Sequence, residues 1–490
     1  MRKIELHKEG KSGLKGRLLK TNAFQHHTGY QINVFPFKTQ PGGHVFKADF
    51  VSFQGIMGEV IRLSQKKELD KPKDNESYKT ALKSTILKNA LQKVNTNEKL
   101  KLEDILTNIF FEPDNGLFKY DFHVISYMNF ITIKAAIKDI PVFISDVFIN
   151  NNDRFKGLLS NTGSNNILNQ LISDCLPVQA DKKDGERDKQ PFKNMLPAVT
   201  KVFQQDFDFL LSNKEYFLEN FELFFKYYYF FYFTQLTLKL DGFGKEDYII
   251  KPIYFSMDWE NLSESRLSLH KLGWKEISKH YERIFAHANA LELINYIYVG
   301  GETMGDYEEI TSLYNSLEEP EKGVFKSCLE DLLQFYREEV KTLIPPANWA
   351  ECQETLNTSL DVKKFDQEIT RLIYSLWYTV RYQFENGKRK KPYNDYALWM
   401  SSFSKENFTK SGGRFGLKLV LSQEVLLFLT KLCVGGEEKI RLKEFWVKLR
   451  ERGLTFDETS KLEIIKLFER INLIEKKSDS GDAQYIKSSL

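Results

Sequence analysis

The sequence predicts a mainly α protein: a multi-helix assembly with a small β-containing N-terminal region and a C-terminal winged helix-turn-helix. Three observations predict this fold class. Apolar residues recur at helical spacing in several long segments, and one dense aromatic run indicates a helix that is buried on all sides. The last residues of the chain, 421–490, combine three short helical patterns with two extended ones.

The chain has 490 residues, more than one hydrophobic core organises, so we expect about two to four domains. We predict an N-terminal α+β region at 1–177, a helical core domain at 191–410 and a winged helix domain at 421–490. The polar run 179–190 is the expected linker between the first two. The net charge of +3 is nearly balanced, so any contact with nucleic acid has to come from a local patch.

Short strands are expected near the N-terminus. Apolar and polar residues alternate over 29–35 and 44–51, and Pro41-Gly42-Gly43 separates the two stretches. The start of the chain shows no apolar stretch of signal-peptide length, and we expect a cytoplasmic protein with no membrane segment. The four cysteines are scattered without a C-x-x-C pair, so they are expected to be free thiols in a reducing compartment.

The middle of the chain is expected to be helical. Ten aromatic residues lie within 221–233. Aromatic side chains on every side of a helix indicate burial on every side, which favours a core helix over a stacking platform for single-stranded nucleic acid. Three longer helices are predicted to follow, over Trp274 to Val299, around Phe325 to Val340 and around Phe365 to Val380.

Local start and stop signals predict the three C-terminal helices. Ser422 can cap the first helix, which Gly435-Gly436 ends. The second helix is predicted over Arg441 to Arg452, and the segment Thr455-Phe456-Asp457 can supply an N-cap for the third. Extended pieces then flank a turn-rich run at 478–482, which is the expected wing.

Such a module contacts DNA or docks another protein, and the residues leave both possibilities open. The third helix is net acidic and therefore a poor partner for a polyanion, whereas the second helix is richer in Arg and Lys. The charges of the third helix are Asp457, Glu458, Glu463 and Glu469 against Lys461, Lys466 and Arg470. The candidate phosphate contacts in this module are Arg441, Lys443, Lys448, Arg450, Lys466, Arg470, Lys476 and Lys477.

A second basic cluster, Lys388, Arg389, Lys390 and Lys391, follows the last long helix of the middle region. Four consecutive cations usually form a solvated loop. Flanking aromatic residues and the module just downstream also make the cluster a candidate for phosphate contact.

We find no catalytic constellation in the sequence. His280 and His287 are seven residues apart and lack the spacing of a helical zinc pair, so they are expected to be surface or satisfied core histidines. Asp121 and Asp146 lie near strand-like segments and are the candidates for a metal-dependent nuclease of unfamiliar type. Enzymatic activity stays open on this basis, with a non-catalytic role favoured and no cofactor expected.

The C-terminal residues also resemble a known family. Gly453-Leu454-Thr455-Phe456-Asp457, Phe468-Glu469-Arg470-Ile471 and the run 478–483 followed by Tyr485 are similar to the end of the DptG family, also called DndG. The aromatic block at 224–229 and the overall length are similar too. The resemblance is firmest over the last forty or so residues, and the family contributes no catalytic residues to this chain.

The resemblance implies a subunit of a bacterial restriction, or anti-phage defence, system that attacks DNA lacking a phosphorothioate backbone modification. The expected partners are a DptF-like subunit, a DptH-like ATPase of the HerA type, and duplex DNA. Three hypotheses therefore compete: a non-catalytic subunit that engages DNA or acts as a scaffold, a pure protein-interaction adaptor for the ATPase, and the unfamiliar nuclease.

Overall fold

A computed structural model gives the fold. It describes residues 2–7, 10–20, 23–39, 53–69, 75–95, 97–113, 116–119, 121–128, 137–150, 152–160, 167–182, 191–244, 248–260, 270–343, 348–387, 389–476 and 484–488. The protein is mainly helical, as predicted, with small sheets. The segment 44–51, most of the expected linker, Lys388, Lys477 and the expected wing turn lie outside these residues. Within them, no helix combines the length and the apolar character needed to cross a membrane.

The helices of the N-terminal half are α1 Gly10–Leu18, α2 Gln54–Gln65, α3 Asn75–Gln92, α4 Lys99–Phe110, α5 Phe122–Ile125, α6 Asp139–Phe143, a π-helix at Ile144–Ile149, α7 Asp153–Ser160, α8 Ile167–Ser173, α9 Pro197–Leu211 and α10 Lys214–Leu240. Those of the C-terminal half are α11 Trp274–Tyr281, α12 Ile284–Ile294, α13 Tyr307–Ser316, α14 Glu319–Leu343, α15 Trp349–Lys363, α16 Glu368–Asn386, α17 Lys390–Phe408, α18 Gln423–Val434, α19 Leu442–Glu451 and α20 Glu458–Arg470.

The strands are β1 Ile4–Leu6, β2 Leu19–Lys20, β3 Ala23–Phe24, β4 Lys67–Glu68, β5 Ala180–Asp181, β6 Ile253–Tyr254, β7 Ser256–Met257, β8 Ile297–Val299, β9 Thr409–Ser411, β10 Leu417–Leu421, β11 Lys439–Arg441, β12 Leu454–Thr455, β13 Ile474–Lys476 and β14 Gln484–Lys487. Most of the sheets join distant parts of the chain. β1 pairs antiparallel with β8, β6 pairs parallel with β12, and β7 pairs parallel with β10.

The aromatic run forms the central helix, α10, as predicted. Its residues from Tyr227 to Leu238 are all buried, and the rings pack on neighbouring helices. Phe224 stacks with Phe207 of α9, and Tyr229 packs edge-on against Phe403 of α17. A helix buried on every side needs partners on every side, and α10 therefore organises the core.

The prediction of one helix from Trp274 to Val299 is wrong. The helix is interrupted by a turn at Glu282 and Arg283, whose backbone stays in the right-handed region, and the last three residues of the segment form β8. The break brings His280, Arg283 and His287 around the buried Asp241 carboxylate at the end of α10. Apolar spacing continues through this break, so periodicity alone does not reveal it.

His287 is a satisfied core residue, one of the two roles expected for both histidines, whereas His280 is half-buried. His287 Nε2 lies 2.9 Å from Asp241, its Nδ1 lies 3.0 Å from the Tyr307 hydroxyl, and burial lowers its pKa. His280 also contacts Asp241, although its Nε2 is buried without a hydrogen-bond partner. Among the described residues, no group of three or more His, Cys, Asp or Glu is placed to hold a metal ion.

The N-terminal residues are less regular than predicted. The stretch 29–35 forms no strand beyond an isolated bridge at Asn33, and it runs instead across α12. There the buried carboxylate of Glu292 accepts hydrogen bonds from the backbone N–H groups of Gln31, at 2.9 Å, and Ile32. Alternation of apolar and polar residues predicts a strand only where another strand is available to pair with it.

The residues 423–487, named the C-terminal module below, contain α18 to α20 and a three-stranded antiparallel sheet. Its helices begin where the sequence predicts them, because their caps are local signals. The Ser422 side chain accepts from the Val425 N–H, and the Asp457 side chain accepts from the Ser460 N–H at 2.8 Å. The sheet order is β11-β14-β13, so the last strand lies between the other two.

The C-terminal module is fastened to the helical core at the turn between α19 and α20. Gly453 in this turn has φ +80 and lies directly against α10, where a Cβ atom would come within 2.7 Å of the Phe231 ring atom Cδ2. The next residues form β12, which pairs with β6. Only glycine allows both the left-handed backbone and this close approach.

We expect the substitution Gly453→Ala to destabilise the protein by about 2–5 kcal/mol. About 1–2 kcal/mol comes from the left-handed backbone and a further 1–3 kcal/mol from overpacking against Phe231. Thermal and urea denaturation of the full chain would measure the change. Gly436→Ala is the matched control, because a Cβ atom at Gly436 meets open space. Equal stability of the two variants would contradict this account of the docking.

Candidate nucleic-acid interface

The helix α19 presents the predicted cations of the C-terminal module to solvent. Phe445 and Leu449 anchor the helix, and Phe445 packs on Phe468 of α20 with ring centroids 5.6 Å apart. Because a helix repeats every 3.6 residues, the opposite face carries Lys443, Val447 and Arg450. All three side chains are exposed.

Two of the predicted cations on this helix, and one on the strand β11 that precedes it, are available for a ligand. Arg441, Lys443 and Arg450 are exposed, and none of them forms an ion pair with another described residue. Lys448 differs, because its ammonium lies 3.3 Å from the Glu444 carboxylate and donates to the Cys433 carbonyl at 3.0 Å. We therefore define the basic face of α19 as Arg441, Lys443 and Arg450.

The charges of α20 are mostly balanced within the helix. Lys466 forms an ion pair with Glu463 at 2.7 Å, and Lys461 forms one with Glu458 at 2.7 Å. Arg470, at the end of the helix, is exposed and has no ion pair within the described part of the chain. Paired cations release fewer counterions on meeting phosphate, so these two lysines are weaker candidates for phosphate contact than their residue type suggests.

The first turn of α20 also lies against the helical core. The Ser460 hydroxyl is 3.1 Å from the buried Glu260 carboxylate, which also accepts from the Met257 N–H. Burial raises the pKa of Glu260, and Asp457 adds to the effect. Recognition helices usually contact base edges with their first turn, and here that turn is acidic and covered on one side by residues 257–260.

The described ends of the expected wing carry paired lysines. Lys476 lies 2.5 Å from Glu469, and Lys439 lies 3.0 Å from Glu475. Lys477, the remaining predicted contact in this part, lies outside the described residues. The sheet thus leaves the basic face of α19 as the main concentration of unpaired positive charge in the described part of the module.

The second predicted cluster is at a different place in the fold. Arg389 donates to the Phe24 carbonyl at 3.4 Å, and Lys391 forms an ion pair with Asp395 at 2.6 Å, while Lys390 is exposed. The helix α17 begins at this cluster, and its other end joins β9 and then the C-terminal module. This helix has nineteen residues and is therefore about 28 Å long.

The two aspartates considered for a nuclease have structural contacts. Asp121 caps α5 by accepting from the His123 N–H at 3.1 Å, and it forms an ion pair with Lys214 at 2.8 Å. Asp146, in the π-helix, accepts from the Phe192 N–H at 3.1 Å. These contacts account for both carboxylates, although they do not test nuclease activity.

One cation that the sequence places on the second helix is not at the surface. Arg452 is only 5% exposed, and its guanidinium binds the buried Asp206 carboxylate of α9 through two nitrogens. The Tyr228 hydroxyl donates to the same carboxylate, and the Tyr227 hydroxyl donates to the Arg452 carbonyl. Residue type alone does not separate this arginine from Arg450, and only the Gly453 that follows signals a buried turn.

A scan of protein-family models finds no match to this chain, and a search of curated proteins finds none either. The arrangement of charges and contacts in the structure is therefore the basis for assigning a role to the C-terminal module.

Proposed function

We propose that this chain is a non-catalytic, DNA-engaging subunit of a multi-protein restriction complex, of the kind that the resemblance to the DptG family implies. The basic face of α19 carries the proposal. Arg441, the last residue of β11, and Lys443 and Arg450 of the following helix are three exposed cations without ion pairs to other described residues, and the residue after that helix, Arg452, binds Asp206 of the core. Arginine and lysine in this setting bind phosphate.

The order of elements supports a winged helix as the DNA-contacting unit. The C-terminal module runs helix, strand, helix, strand, helix, strand, strand; β11 and β13 both pair with β14, whereas the two-residue β12 pairs with β6 outside the module. Three helices with a small antiparallel sheet, two strands of which follow the last helix, are what a winged helix-turn-helix requires. The wing turn itself would extend from β13 and β14.

The proposed contact is to the DNA backbone and not to base edges. The first turn of α20 is acidic and lies against residues 257–260, so its approach to a major groove is hindered. The cations of α19, in contrast, are free to meet phosphates along one strand. Contacts to phosphate position a protein on DNA and carry no sequence information, which suits a subunit that acts on DNA of any sequence.

The attachment of the C-terminal module to the core supports the proposal that the subunit also acts as a scaffold. The Asp206–Arg452 pair, the β6–β12 pairing and the close approach of Gly453 to Phe231 fix the module in one orientation on α9 and α10. DNA held on α19 would thus keep a set position relative to the rest of the chain. The DptF-like subunit and the HerA-type ATPase are the partners we propose for the remaining surface, in the cytoplasm.

A pure adaptor is the second candidate. Val447 of α19 is 54% exposed and Leu462 of α20 is 56% exposed, so both helices also offer apolar side chains to a protein partner. Apolar contact favours protein over phosphate as the ligand of these two residues.

Fluorescence anisotropy with labelled duplex DNA and the full-length chain tests the proposal. Three phosphate contacts predict a slope of about −2.7 for log affinity against log salt concentration. We expect saturable binding at low salt with at least this slope. A chain that binds no duplex DNA, yet is retained by the ATPase or the DptF-like subunit, would instead be an adaptor. A chain that does neither would overturn both candidates.

A further inference from the structure

A groove between α3 and α4 has a volume of about 920 Å³. Its lining combines two kinds of side chain. The α3 residues Thr80, Ser84, Leu87 and Leu91, with Val94 beyond the helix, form a strip of small and apolar groups. The strip follows one face of α3 at spacings of three and four residues, over about 17 Å.

The rim of the groove is basic. It carries four lysines, Lys83, Lys88, Lys93 and Lys99, against a single carboxylate, Glu103. Lys83 lies over the Phe111 ring, and Lys93 is 3.7 Å from the Asp174 carboxylate. Lys88 and Lys99 are exposed and form no ion pair with another residue that the structure describes. They are placed to meet negative charge above the apolar strip.

We infer that this groove binds an acidic amphipathic helix of a partner protein. An amphipathic helix places apolar residues in a groove at spacings of i, i+4 and i+7, and the strip on α3 has the length of about three helical turns. Acidic side chains beside those anchors would pair with Lys88 and Lys99. The inference does not depend on DNA binding by the C-terminal module.

The groove favours a helix over nucleic acid for two reasons. Its centre is aliphatic, and Leu91 and Val94 would stay in contact with water if a phosphate backbone lay above them. Its described lining contains no aromatic residue on which a base would stack and no arginine, which are the usual contacts to single strands. An acidic helix would use both the apolar strip and the lysines.

A labelled designed peptide tests the inference with the full-length chain. The probe is an acidic helix with Leu at i, i+4, i+7 and i+11 and Glu on its flanks, and a scrambled peptide of the same composition is its control. We expect saturable binding of the probe, at least about tenfold tighter than the scrambled peptide. Equal binding of the two peptides would overturn the inference, because it would reflect charge alone.

Two charge reversals locate the binding. The double variant Lys88→Glu and Lys99→Glu should weaken probe binding at least about tenfold. The control is Lys101→Glu, which lies on α4 as Lys99 does but outside the groove lining, and it should change probe binding less than about threefold. All three side chains are exposed, and Glu at position 99 suits the first turn of α4, so the fold should be kept. Circular dichroism checks this.

Other occupants give different results. If the parent chain did not bind the probe and the Lys88/Lys99 variant lost duplex DNA binding, the groove would be a nucleic-acid site and the inference would be overturned. Dissociation of a dimer by the same variant in sedimentation velocity would assign it to a second copy of the chain. Unchanged DNA binding with lost probe binding supports the inference, and DNA binding by the parent chain separately tests the proposed function.

Discussion

The substitution Arg452→Ala should destabilise this protein by about 3–5 kcal/mol, because it leaves the Asp206 carboxylate buried without its charged partner. Asp206 is 2% exposed and would keep only the hydrogen bond from Tyr228. The guanidinium also donates to the carbonyls of Lys448, at 2.9 Å, and Leu432, and these acceptors lose their donor as well. A loss of this size is a large fraction of the stability of a typical domain.

Thermal and urea denaturation of the full-length chain measure the effect, with Arg450→Ala as the matched control. Arg450 is two residues away and exposed, so its removal should change stability by less than about 0.5 kcal/mol. The triple variant Asp206→Leu, Tyr228→Phe and Arg452→Met removes the ion pair and the hydroxyl group that donates to it. We expect it to recover most of the lost stability, since apolar groups of similar volume often replace buried ion pairs without cost.

Two results would contradict this account. If Arg452→Ala were as mild as Arg450→Ala, the ion pair would not be what holds the C-terminal module on α9 and α10. If the triple variant stayed as unstable as Arg452→Ala, the loss would come from packing and not from an uncompensated charge.

The sequence predicts the parts of this fold that depend on neighbouring residues. Ser422 and Asp457 cap α18 and α20 as expected, because a cap is formed by groups two or three residues apart. The burial of α10 was equally predictable, since aromatic side chains surround that helix. A cap is complete within about one helical turn, and the aromatic signal is complete within one helix.

The parts that sequence reasoning missed depend on residues far apart in the chain. The pairing of β12 with β6 joins positions about two hundred residues apart, and two-residue strands carry no periodicity to detect. Arg452 is chemically the same as Arg450, and only the distant Asp206 makes it a core residue. The Arg389 side chain likewise turns toward Phe24, so one of the four cations predicted at 388–391 faces the protein.

The difference between what residue type shows and what distant contacts decide also applies to the predicted DNA contacts. Counting Lys and Arg by type includes Lys448, Lys466 and Lys476, which the structure places in ion pairs with Glu444, Glu463 and Glu469. A paired lysine has to give up its carboxylate before it binds phosphate, and the gain is correspondingly smaller. Arg441, Lys443 and Arg450 are the better candidates for phosphate contact because they are exposed and have no ion pair with another described residue.

Replacing Arg441, Lys443 and Arg450 together by Ala should weaken duplex DNA binding about 100-fold at low salt. Each lost contact is worth about 1 kcal/mol, and about 3 kcal/mol in all corresponds to a factor of roughly 100. The salt slope should become shallower by about 2.7, because three fewer counterions are released. Alanine is the best helix former and these side chains are exposed, so the fold should be unaffected.

A second triple variant, Lys466→Ala, Arg470→Ala and Lys476→Ala, removes the same charge from α20 and β13. We expect it to weaken binding less than about fivefold, because two of its three cations already have carboxylate partners. Anisotropy titrations of both variants at several salt concentrations compare the two surfaces directly. If the second variant lost more affinity than the first, α20 would be the helix that contacts DNA, and the core residues 257–260 beside its first turn would have to accommodate the duplex.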